Sequence, residues 1–362
     1  MNDAPRIAIA AGGTAGHVVP ALAVADALRD RGAHVEFLGG ERAEAELVPA
    51  AGYPFHELRV AGLDRRNPLK AARAAALAAK AVFDARRILG REIRADAVLG
   101  GGGYVAGPAG LAALSLRLPL ALTEADSHLG ITNKLLAPRA RHVYLAFAIE
   151  GRDDPHYEVV GRPVPPGTGT GDRAAARGRF GIAAGDRCLL VFGGSLGAKR
   201  INEASVEAFG AAAPCAVLHA SGRRDHPELA ERLHALGDPP HYHLEPYVIP
   251  FADALAAADL AVARSGGSVF ELAAAGLPAI LVPYPHATAD HQTGNARWMA
   301  DAGAAVVVPD AELDAHRLTA EVDALLGEPG RLERMAVAAR DLARLDAAER
   351  IADGVISLMR HG

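Results

Sequence analysis

Short apolar runs alternate with longer stretches of mixed polarity along most of the chain. The longer stretches have helical patterns, among them Ala21–Arg31, Glu41–Ala51 and Ala109–Leu116. Such alternation predicts an α/β fold, in which helices cover both faces of parallel sheets. The predicted strands are Ile7–Ala10, Val35–Gly39, Ala97–Gly100, Leu120–Glu124 and Val143–Ala146, followed by Cys188–Phe192, Ala216–Ala220, His241–Glu245, Leu260–Ala263, Ala279–Pro283 and Ala305–Pro309.

A polar, proline-rich segment, Glu150–Arg173, interrupts this alternation. Its centre, Gly161–Gly167, has the composition of an interdomain linker. A length of 362 residues also suits two domains better than one. We therefore predict a first domain at 1–162, a second at 163–345, and a C-terminal helix at 346–362 that returns toward the first domain.

Composition and charge narrow the class of protein. A hydrophobic fraction of 50% and a charged fraction of 22% are those of a soluble globular protein, and a net charge of -5 argues against a dedicated nucleic-acid binder. The N-terminus lacks the pattern of a signal peptide, and no apolar run reaches the ~18 residues of a membrane span. We expect a cytoplasmic protein in which Cys188 and Cys215 are buried and reduced.

A glycine-rich loop follows the first predicted strand, and a similar loop follows the first strand of the second half. Both have the pattern G-G-[ST]-x-G, at 12–16 and 193–197. Unpaired backbone N–H groups at a helix start bind anions, usually phosphate, although a glycine turn of purely structural role is an equally good interpretation of one copy. The recurrence favours two similar domains that face each other across a cleft.

Two further stretches follow strands at the same sheet edge as the first loop. Gly100–Gly103 is costly in chain entropy, which favours a loop that a ligand approaches closely. Thr123–Lys134 brings together acidic, basic and amide groups. Within this region Asp126 and His17 are candidate general bases that could take a proton from a hydroxyl nucleophile.

The second half carries its own polar groups after predicted strands. Arg264 is a candidate phosphate partner, and Glu271 could accept hydrogen bonds from ribose hydroxyls. An equally good interpretation of the spacing makes Ser268 a helix N-cap with Glu271 completing a capping box. The loop at 290–296 has amide side chains suited to binding a sugar. With no Cys/His cluster and no D-x-D pair, the sequence predicts no obligatory metal.

The segment Pro68–Arg94 is basic and amphipathic. One interpretation is a solvated helix that packs its apolar side on the sheet. The other is a surface helix that lies against anionic lipid. The pattern alone does not distinguish them.

Six motifs together resemble the MurG family. They are G-G-T-x-G-H-x-x-P-A-L, G-G-Y-x-x-G-P, T-E-x-x-x-x-x-G-x-T-N-K, G-G-S-x-G-A, R-[SA]-G-x-S…E-L and H-Q-x-x-N-A, and the resemblance runs from about residue 6 to 345. It implies a GT-B fold of two facing Rossmann-like domains. The implied reaction is inverting transfer of GlcNAc from UDP-GlcNAc to the 4-hydroxyl of MurNAc in undecaprenyl-diphospho-MurNAc-pentapeptide, which converts lipid I to lipid II in peptidoglycan synthesis. A UDP-GlcNAc 2-epimerase and a nucleotide-dependent lipid-surface binding protein remain alternatives.

The resemblance also implies roles for particular residues. The predicted catalytic residues are His17 and Asp126, and no obligatory cofactor is implied, although a divalent cation could stimulate the reaction. The implied location is the cytoplasmic face of the bacterial membrane, held peripherally through 68–94, with no nucleic-acid partner. Many members carry arginine where this chain has Pro165, and Arg162 lies earlier, so no arginine contact is carried over. The predicted binding residues are Thr14, Ala15, Gly16 and Tyr104 for the acceptor side, Ser195 for the UDP diphosphate, Val248 for uracil, Glu271 for ribose, Gln292 and Asn295 for GlcNAc, and in addition Asn133, Arg264, Gly267 and Ser268.

Overall fold

A computed structural model of the chain describes residues 4–60, 68–194, 197–287 and 290–359, with the backbone alone for 68–76. The chain divides into two compact units. The first comprises Met1–Val164 with Arg344–Gly362, and the second comprises Pro165–Ala343. Each unit is a parallel sheet covered by helices, so the predicted α/β class is confirmed.

The described part of the first unit contains a seven-stranded parallel sheet with the order β3-β2-β1-β4-β5-β6-β7. Its strands are β1 Arg6–Ala10, β2 His34–Gly39, β3 Phe55–Glu57, β4 Ala97–Gly100, β5 Leu120–Glu124, β6 His142–Leu145 and β7 Tyr157–Val159. Its helices are α1 Ala15–Asp30, α2 Ala43–Ala50, α3 Pro68–Arg87, α4 Ala106–Ser115, α5 Ile131–Leu136 and, from the end of the chain, α14 Ala347–Leu358, with a π-helical turn at Ile88–Ile93 and a 3-10 turn at Ala137–Arg139.

Strand β1 shows why the sheet is covered on both faces. Successive side chains of a strand point to opposite faces. Ile7 and Ile9 belong to one buried cluster, whereas Ala8 and Ala10 belong to another. Helices α1 and α14 pack on the first face and on each other. The C-terminal helix therefore completes the core of the first unit.

The second unit repeats this strand order as β10-β9-β8-β11-β12-β13. Its core combines Leu189 and Val191 of the central strand with Ile201 and Phe209 of the following helix. Its strands are β8 Cys188–Phe192, β9 Ala216–Ala220, β10 Tyr242–Glu245, β11 Leu260–Ala263, β12 Ala279–Leu281 and β13 Ala305–Val307; its helices are α6 Arg173–Phe180, α7 Lys199–Phe209, α8 His226–Ala235, α9 Phe251–Ala257, α10 Ser268–Ala275, α11 His291–Asp301, α12 Ala315–Gly327 and α13 Arg331–Leu342, with a 3-10 turn at Asp310–Glu312.

Sequence patterns locate most strands within a residue or two but miss two short ones. β3 and β7 are three residues each and lie at opposite edges of the first sheet, where a strand needs little apolar sequence. β7 lies inside the segment predicted to be irregular. Cys188 and Cys215 are both free and buried, as expected, and burial raises the pKa of the two thiols to about 12 and about 11.

The predicted start of α1 is wrong. The helix begins at Ala15, not Ala21, and contains Pro20. Proline has no N–H to donate to the carbonyl four residues earlier, so the carbonyl of Gly16 loses its helical partner. A guanidinium N–H of Arg162 donates to that carbonyl instead. The hydrogen bonding of this proline-containing turn therefore depends on a residue 146 positions away in the chain.

Candidate active site

Each of the two sheets has its own topological switch point. At this point new strands stop being added on one side of the first strand and begin to be added on the other side. In the first unit it lies between β1 and β4, and in the second between β8 and β11. Open α/β sheets bind ligands outside the carboxyl ends of the strands at such a point. The predicted glycine loops follow β1, β4 and β8, which places them at these two positions.

In the first unit the glycine loops after β1 and β4 pack directly on each other. A Cβ added to Gly103 would lie 1.8 Å from the carbonyl oxygen of Gly12, and one added to Gly102 would lie 2.8 Å from Cδ2 of His17. Gly100 and Gly101 are similarly enclosed, by Leu122 and Ala11. The run of four glycines is thus explained by packing within the protein, a different reason from the close ligand approach expected from sequence.

A small pocket opens beside these loops within the first unit. Its polar lining includes His17, Thr123, Glu124 and Arg162, and its apolar lining includes Val24, Leu99, Tyr144 and Ile351. The contribution of Ile351 comes from α14, so the C-terminal helix forms part of the wall. Concave sites with an apolar lining and a few convergent polar groups are the usual form of a binding site.

Glu124 is the buried acid of this pocket, although the sequence alone favours Asp126. Its carboxylate accepts hydrogen bonds from the amides of Asp126 (3.2 Å) and Gly130 (2.8 Å) and from Nδ2 of Asn133 (2.9 Å). Desolvation is the largest influence on it and raises its pKa above the ordinary glutamate value. Asn133, predicted as a substrate ligand, here fixes Glu124 and also donates to the carbonyl of Thr123.

Residues predicted to line the acceptor side occupy the start of α1. Thr14 is the N-cap residue of α1 and does not cap it through its side chain. Ala15 and Gly16 are the first two residues of α1, a position where backbone amides have no carbonyl partner within the helix. His17 is half-buried and faces the second glycine loop. Gly16 and His17 therefore line the pocket, and Thr14 and Ala15 directly precede them in the chain; the roles of all four stay predictions.

Sequence reasoning misses Glu44 altogether. This residue lies in the first turn of α2 with no exposed surface, and its carboxylate accepts a hydrogen bond from the hydroxyl of Tyr104 (2.8 Å). Tyr104 is a predicted acceptor-site residue, and the guanidinium of Arg42 lies 5.0 Å from the centroid of its ring. The signal in the sequence that could have pointed to this site is the pair of glycines at the end of β2, Gly39–Gly40.

In the second unit the glycine loop after β8 leads into α7. Gly194 has φ +91°, and a Cβ placed there would have no atom of the described residues within 4 Å. Gly197 lies against the carbonyl oxygen of Ser221, 2.5 Å from its Cβ position, and Nδ2 of Asn202 donates to the same oxygen (2.9 Å). The predicted diphosphate ligand Ser195 lies outside the described residues.

A buried polar network supports that loop from behind. Nε2 of His219 lies 3.0 Å from Oδ1 of Asn202, and Nδ1 lies 2.8 Å from the hydroxyl of Tyr242. Burial lowers the pKa of His219 to about 3, so the ring is neutral at physiological pH. A neutral ring donates through one nitrogen and accepts through the other, which matches these two partners.

Arg264 has partners inside the protein. Its guanidinium forms an ion pair with Asp310 at 2.5 Å and donates to the carbonyls of Val282 (3.1 Å) and Pro283 (3.3 Å). Both charged side chains are largely buried, at 12% and 16% exposed. These contacts hold the loop after β12, and the predicted phosphate contact of Arg264 stays a prediction.

The remaining predicted donor-site residues lie near α10 and α11. Gly267, not Ser268, is the N-cap residue of α10, and Oγ of Ser268 donates to the carbonyl of Arg264 at 3.5 Å, so the capping-box interpretation is wrong. Glu271 lies in the first turn of the same helix. Val248 is buried in the segment after β10.

The two amide side chains of α11 bind backbone groups of neighbouring loops. Oε1 of Gln292 accepts from the amide of Tyr284 (3.0 Å), and Nδ2 of Asn295 donates to the carbonyl of Ser265 (3.0 Å). Oδ1 of Asn295 is buried and has no hydrogen-bond partner among the residues that the structure describes. Their predicted contacts to GlcNAc stay predictions.

Metal ligands and membrane-spanning helices are both absent from the described part of the chain. No group of three or more His, Cys, Asp or Glu side chains there is placed to hold a metal ion. Nor does any helix within those residues combine the length and the apolar character needed to cross a membrane.

Two Rossmann-like parallel sheets, each with a glycine loop at its switch point, are the architecture of the GT-B fold. The chain belongs to glycosyltransferase family 28: the N-terminal domain model of that family matches residues 7–145, and the C-terminal domain model matches residues 188–351.

Individual relatives agree with this assignment. A UDP-N-acetylglucosamine--N-acetylmuramyl-(pentapeptide) pyrophosphoryl-undecaprenol N-acetylglucosamine transferase of Methylococcus capsulatus is 43% identical, over 96% of this chain and 97% of its own. The crystal structure of Acinetobacter baumannii MurG superposes with a TM-score of 0.77 at 30% identity, covering 98% of this chain and 100% of that one. A putative UDP-N-acetylglucosamine 2-epimerase from Listeria monocytogenes has a TM-score of 0.70 at 17% identity, over 99% of this chain and 98% of that one, a likeness of fold alone.

Proposed function

We propose that this chain transfers GlcNAc from UDP-GlcNAc to the 4-hydroxyl of MurNAc in undecaprenyl-diphospho-MurNAc-pentapeptide, with inversion at the anomeric carbon. The observation that carries the proposal is the 43% identity, over nearly the whole chain, to a transferase named for this reaction. The geometry supports it, because each unit has a glycine loop and a helix start at its switch point, one for each diphosphate-bearing substrate.

The chemistry divides between the two units. The acceptor belongs to the first unit, where its diphosphate meets the first turn of α1 and its sugar lies by the pocket. The oxygen of the 4-hydroxyl attacks C1 of GlcNAc, the bond from C1 to the UDP oxygen breaks, and UDP leaves with both electrons. The hydroxyl proton passes to a base, for which His17 is our candidate and Asp126 the second. In the second unit the start of α7 stabilises the charge on departing UDP.

Acceptor-dependent release of UDP tests the reaction. Purified protein with UDP-GlcNAc should release UDP only when the lipid-linked muramyl acceptor is added, and the product should carry one added GlcNAc by mass. NMR of the nucleotide sugar, incubated without acceptor, should show unchanged UDP-GlcNAc. Conversion to the manno isomer would replace the proposal with an epimerase, and UDP release without acceptor would also contradict it.

Membrane attachment belongs to the same proposal, because the acceptor is a lipid. The first unit exposes large apolar side chains on three helices that pack in sequence, α3, α4 and α5. They form what we call the apolar patch: Phe83 (69% exposed), Leu111 (51%), Ile131 (62%) and Leu135 (68%). Two basic residues lie on the same helices, Arg86 on α3 and the exposed Lys134 on α5. This patch extends the lipid-facing surface predicted at 68–94 to α4 and α5. The side chains of Lys70 and Arg73, in the predicted segment, lie outside the described residues.

Replacing Phe83 and Leu135 with serine should weaken binding to vesicles. Burying one large apolar side chain contributes about 1.5–3 kcal/mol, so the double variant should bind vesicles containing phosphatidylglycerol at least ~10-fold more weakly. Co-sedimentation measures this, and Val337→Ser, an exposed apolar position on α13 of the other unit, is the matched control. If the double variant binds vesicles as tightly as wild type, the other interpretation of α3 holds, a solvated helix that packs its apolar side on the sheet.

A further inference from the structure

Glu44 is a fully buried acid that joins three loops at the carboxyl edge of the first sheet. Its Oε2 accepts from the amide of Gly13 at 2.8 Å, and its Oε1 accepts from the amide of Gly40 at 2.9 Å and from the hydroxyl of Tyr104 at 2.8 Å. These donors follow β1, β2 and β4 respectively. One carboxylate therefore links the loops on both sides of the switch point.

The surroundings favour the charged form of this carboxyl group. Burial alone would raise its pKa, but the hydrogen bonds from the amides of Gly13, of Glu44 itself and of Gly40, and from the hydroxyl of Tyr104, outweigh burial and lower the pKa below the ordinary value. The group also lies in the first turn of α2, where the helix dipole favours negative charge. Charge-assisted hydrogen bonds of this kind are stronger than neutral ones.

The space around Glu44 is closed. A Cβ at Gly12 would lie 2.8 Å from Oε1 of Glu44, and a Cβ at Gly39 would lie 2.7 Å from its Cγ. A Cβ at Gly40 would lie 1.9 Å from the hydroxyl oxygen of Tyr104. No substrate atom fits between these groups. Glu44 therefore acts on its neighbours and does not touch substrate.

One amide of the first glycine loop is already occupied. Gly13 donates to Glu44, so the anion site at this loop rests on the start of α1 and not on the inner side of the loop. Because like charges repel, a substrate phosphate would bind on that outer side, away from the carboxylate of Glu44. The hydrogen bond to Glu44 also fixes the side chain of Tyr104, and the guanidinium of Arg42 lies over the ring of that tyrosine.

We propose that Glu44 is a positioning residue for the acceptor: it fixes the backbone of Gly13 and the side chain of Tyr104 so that the first turn of α1 and His17 meet the acceptor in one arrangement. This inference rests on the proposed function. Displacing catalytic groups by about 1 Å can cost on the order of 100-fold in rate. Because Glu44 belongs to the first unit, its effect should fall on the acceptor and on turnover, and not on UDP-GlcNAc.

The test is the kinetics of Glu44→Gln, which keeps the shape of the side chain. An amide offers one acceptor oxygen to three donors and turns its NH2 toward one of them. We expect kcat/KM for the lipid-linked acceptor to fall by roughly 10- to 100-fold, with KM for UDP-GlcNAc within about twofold of wild type. Hydrogen exchange of segments 10–16 and 39–44 should be faster in the variant.

Matched controls come from the same unit. Glu36 is another largely buried glutamate, with its pKa lowered by His56 and His34, and Glu36→Gln should leave both KM values and kcat unchanged. Tyr53 donates to Asp26 as Tyr104 donates to Glu44, so Tyr53→Phe is the control for Tyr104→Phe. If Glu44→Gln does not fold, hydrogen exchange of segment 10–16 in Tyr104→Phe decides, because loss of one of the three donors should loosen Gly13 whether or not Tyr104 also contacts the acceptor; unchanged exchange there would overturn the inference.

The outcomes separate the two claims. An inactive wild type would overturn the proposed function. An active wild type with unaltered acceptor kinetics in Glu44→Gln would overturn the inference and leave the proposed function standing. Equal increases in KM for both substrates, or a lower melting temperature with unchanged kinetics, would likewise assign Glu44 a purely structural role and overturn the inference.

Discussion

His17→Ala should lower kcat by about 100-fold or more, because a positioned general base contributes roughly 10²–10⁴ to the rate. The ring is half-buried, lines the pocket with Glu124 and lies against the backbone of Gly102. Truncation there removes no core packing, since the buried residues of this helix begin with Val18. The melting temperature should therefore stay near that of wild type. Acceptor-dependent UDP release measures the turnover.

Two further variants identify the base. His34→Ala changes an exposed histidine of the same unit and should retain full turnover. Asp126→Asn keeps the size of the second candidate and removes its charge. If His17→Ala turns over at the wild-type rate while Asp126→Asn does not, the proton goes to Asp126. If the single variants Asp126→Asn and His17→Ala each lose activity, this result would indicate that both groups serve the same step.

The pattern of apolar runs is sufficient to predict the sheets and the places where function gathers. Parallel strands end at one edge, so loops that follow successive strands meet there whatever their sequence. That rule alone brings the loops at 12–16, 100–103 and 123–134 to one pocket, as the structure has them. The order of strands and loops along the chain is therefore enough to predict where the functional groups gather.

Contacts between distant segments cannot be predicted in this way. Glu44 looks like any acidic residue in the first turn of an amphipathic helix, and only the fold shows that it faces inward to Gly13 and Tyr104. Arg162 stands out in the sequence only as a departure from the family pattern, yet its link to Gly16 follows from a proline four positions after Gly16. Both cases require knowing which loops are neighbours in space.

Gly103→Ala should disrupt the first unit far more than an ordinary glycine substitution. The residue has φ +76°, and the new Cβ would lie 1.8 Å from the carbonyl oxygen of Gly12, so the backbone of one loop must move. The left-handed conformation costs alanine about 1–2 kcal/mol, and overpacking adds about 1–3 kcal/mol. We expect a loss of about 2–5 kcal/mol, and a fall in turnover on the order of 100-fold as Gly12 and His17 shift.

Gly32→Ala separates these two costs. Gly32 has φ +81° and no atom of the described part of the chain within 4 Å of its Cβ position, so alanine there bears the conformational cost alone, about 1–2 kcal/mol, with normal turnover. Hydrogen exchange of the β1 and β4 amides reports the first unit by itself, which matters because a chain of two units need not unfold in one step. If the two variants lose equal stability and both keep activity, the loops after β1 and β4 do not pack on each other as described, and the packing explanation of the four glycines would fail with it.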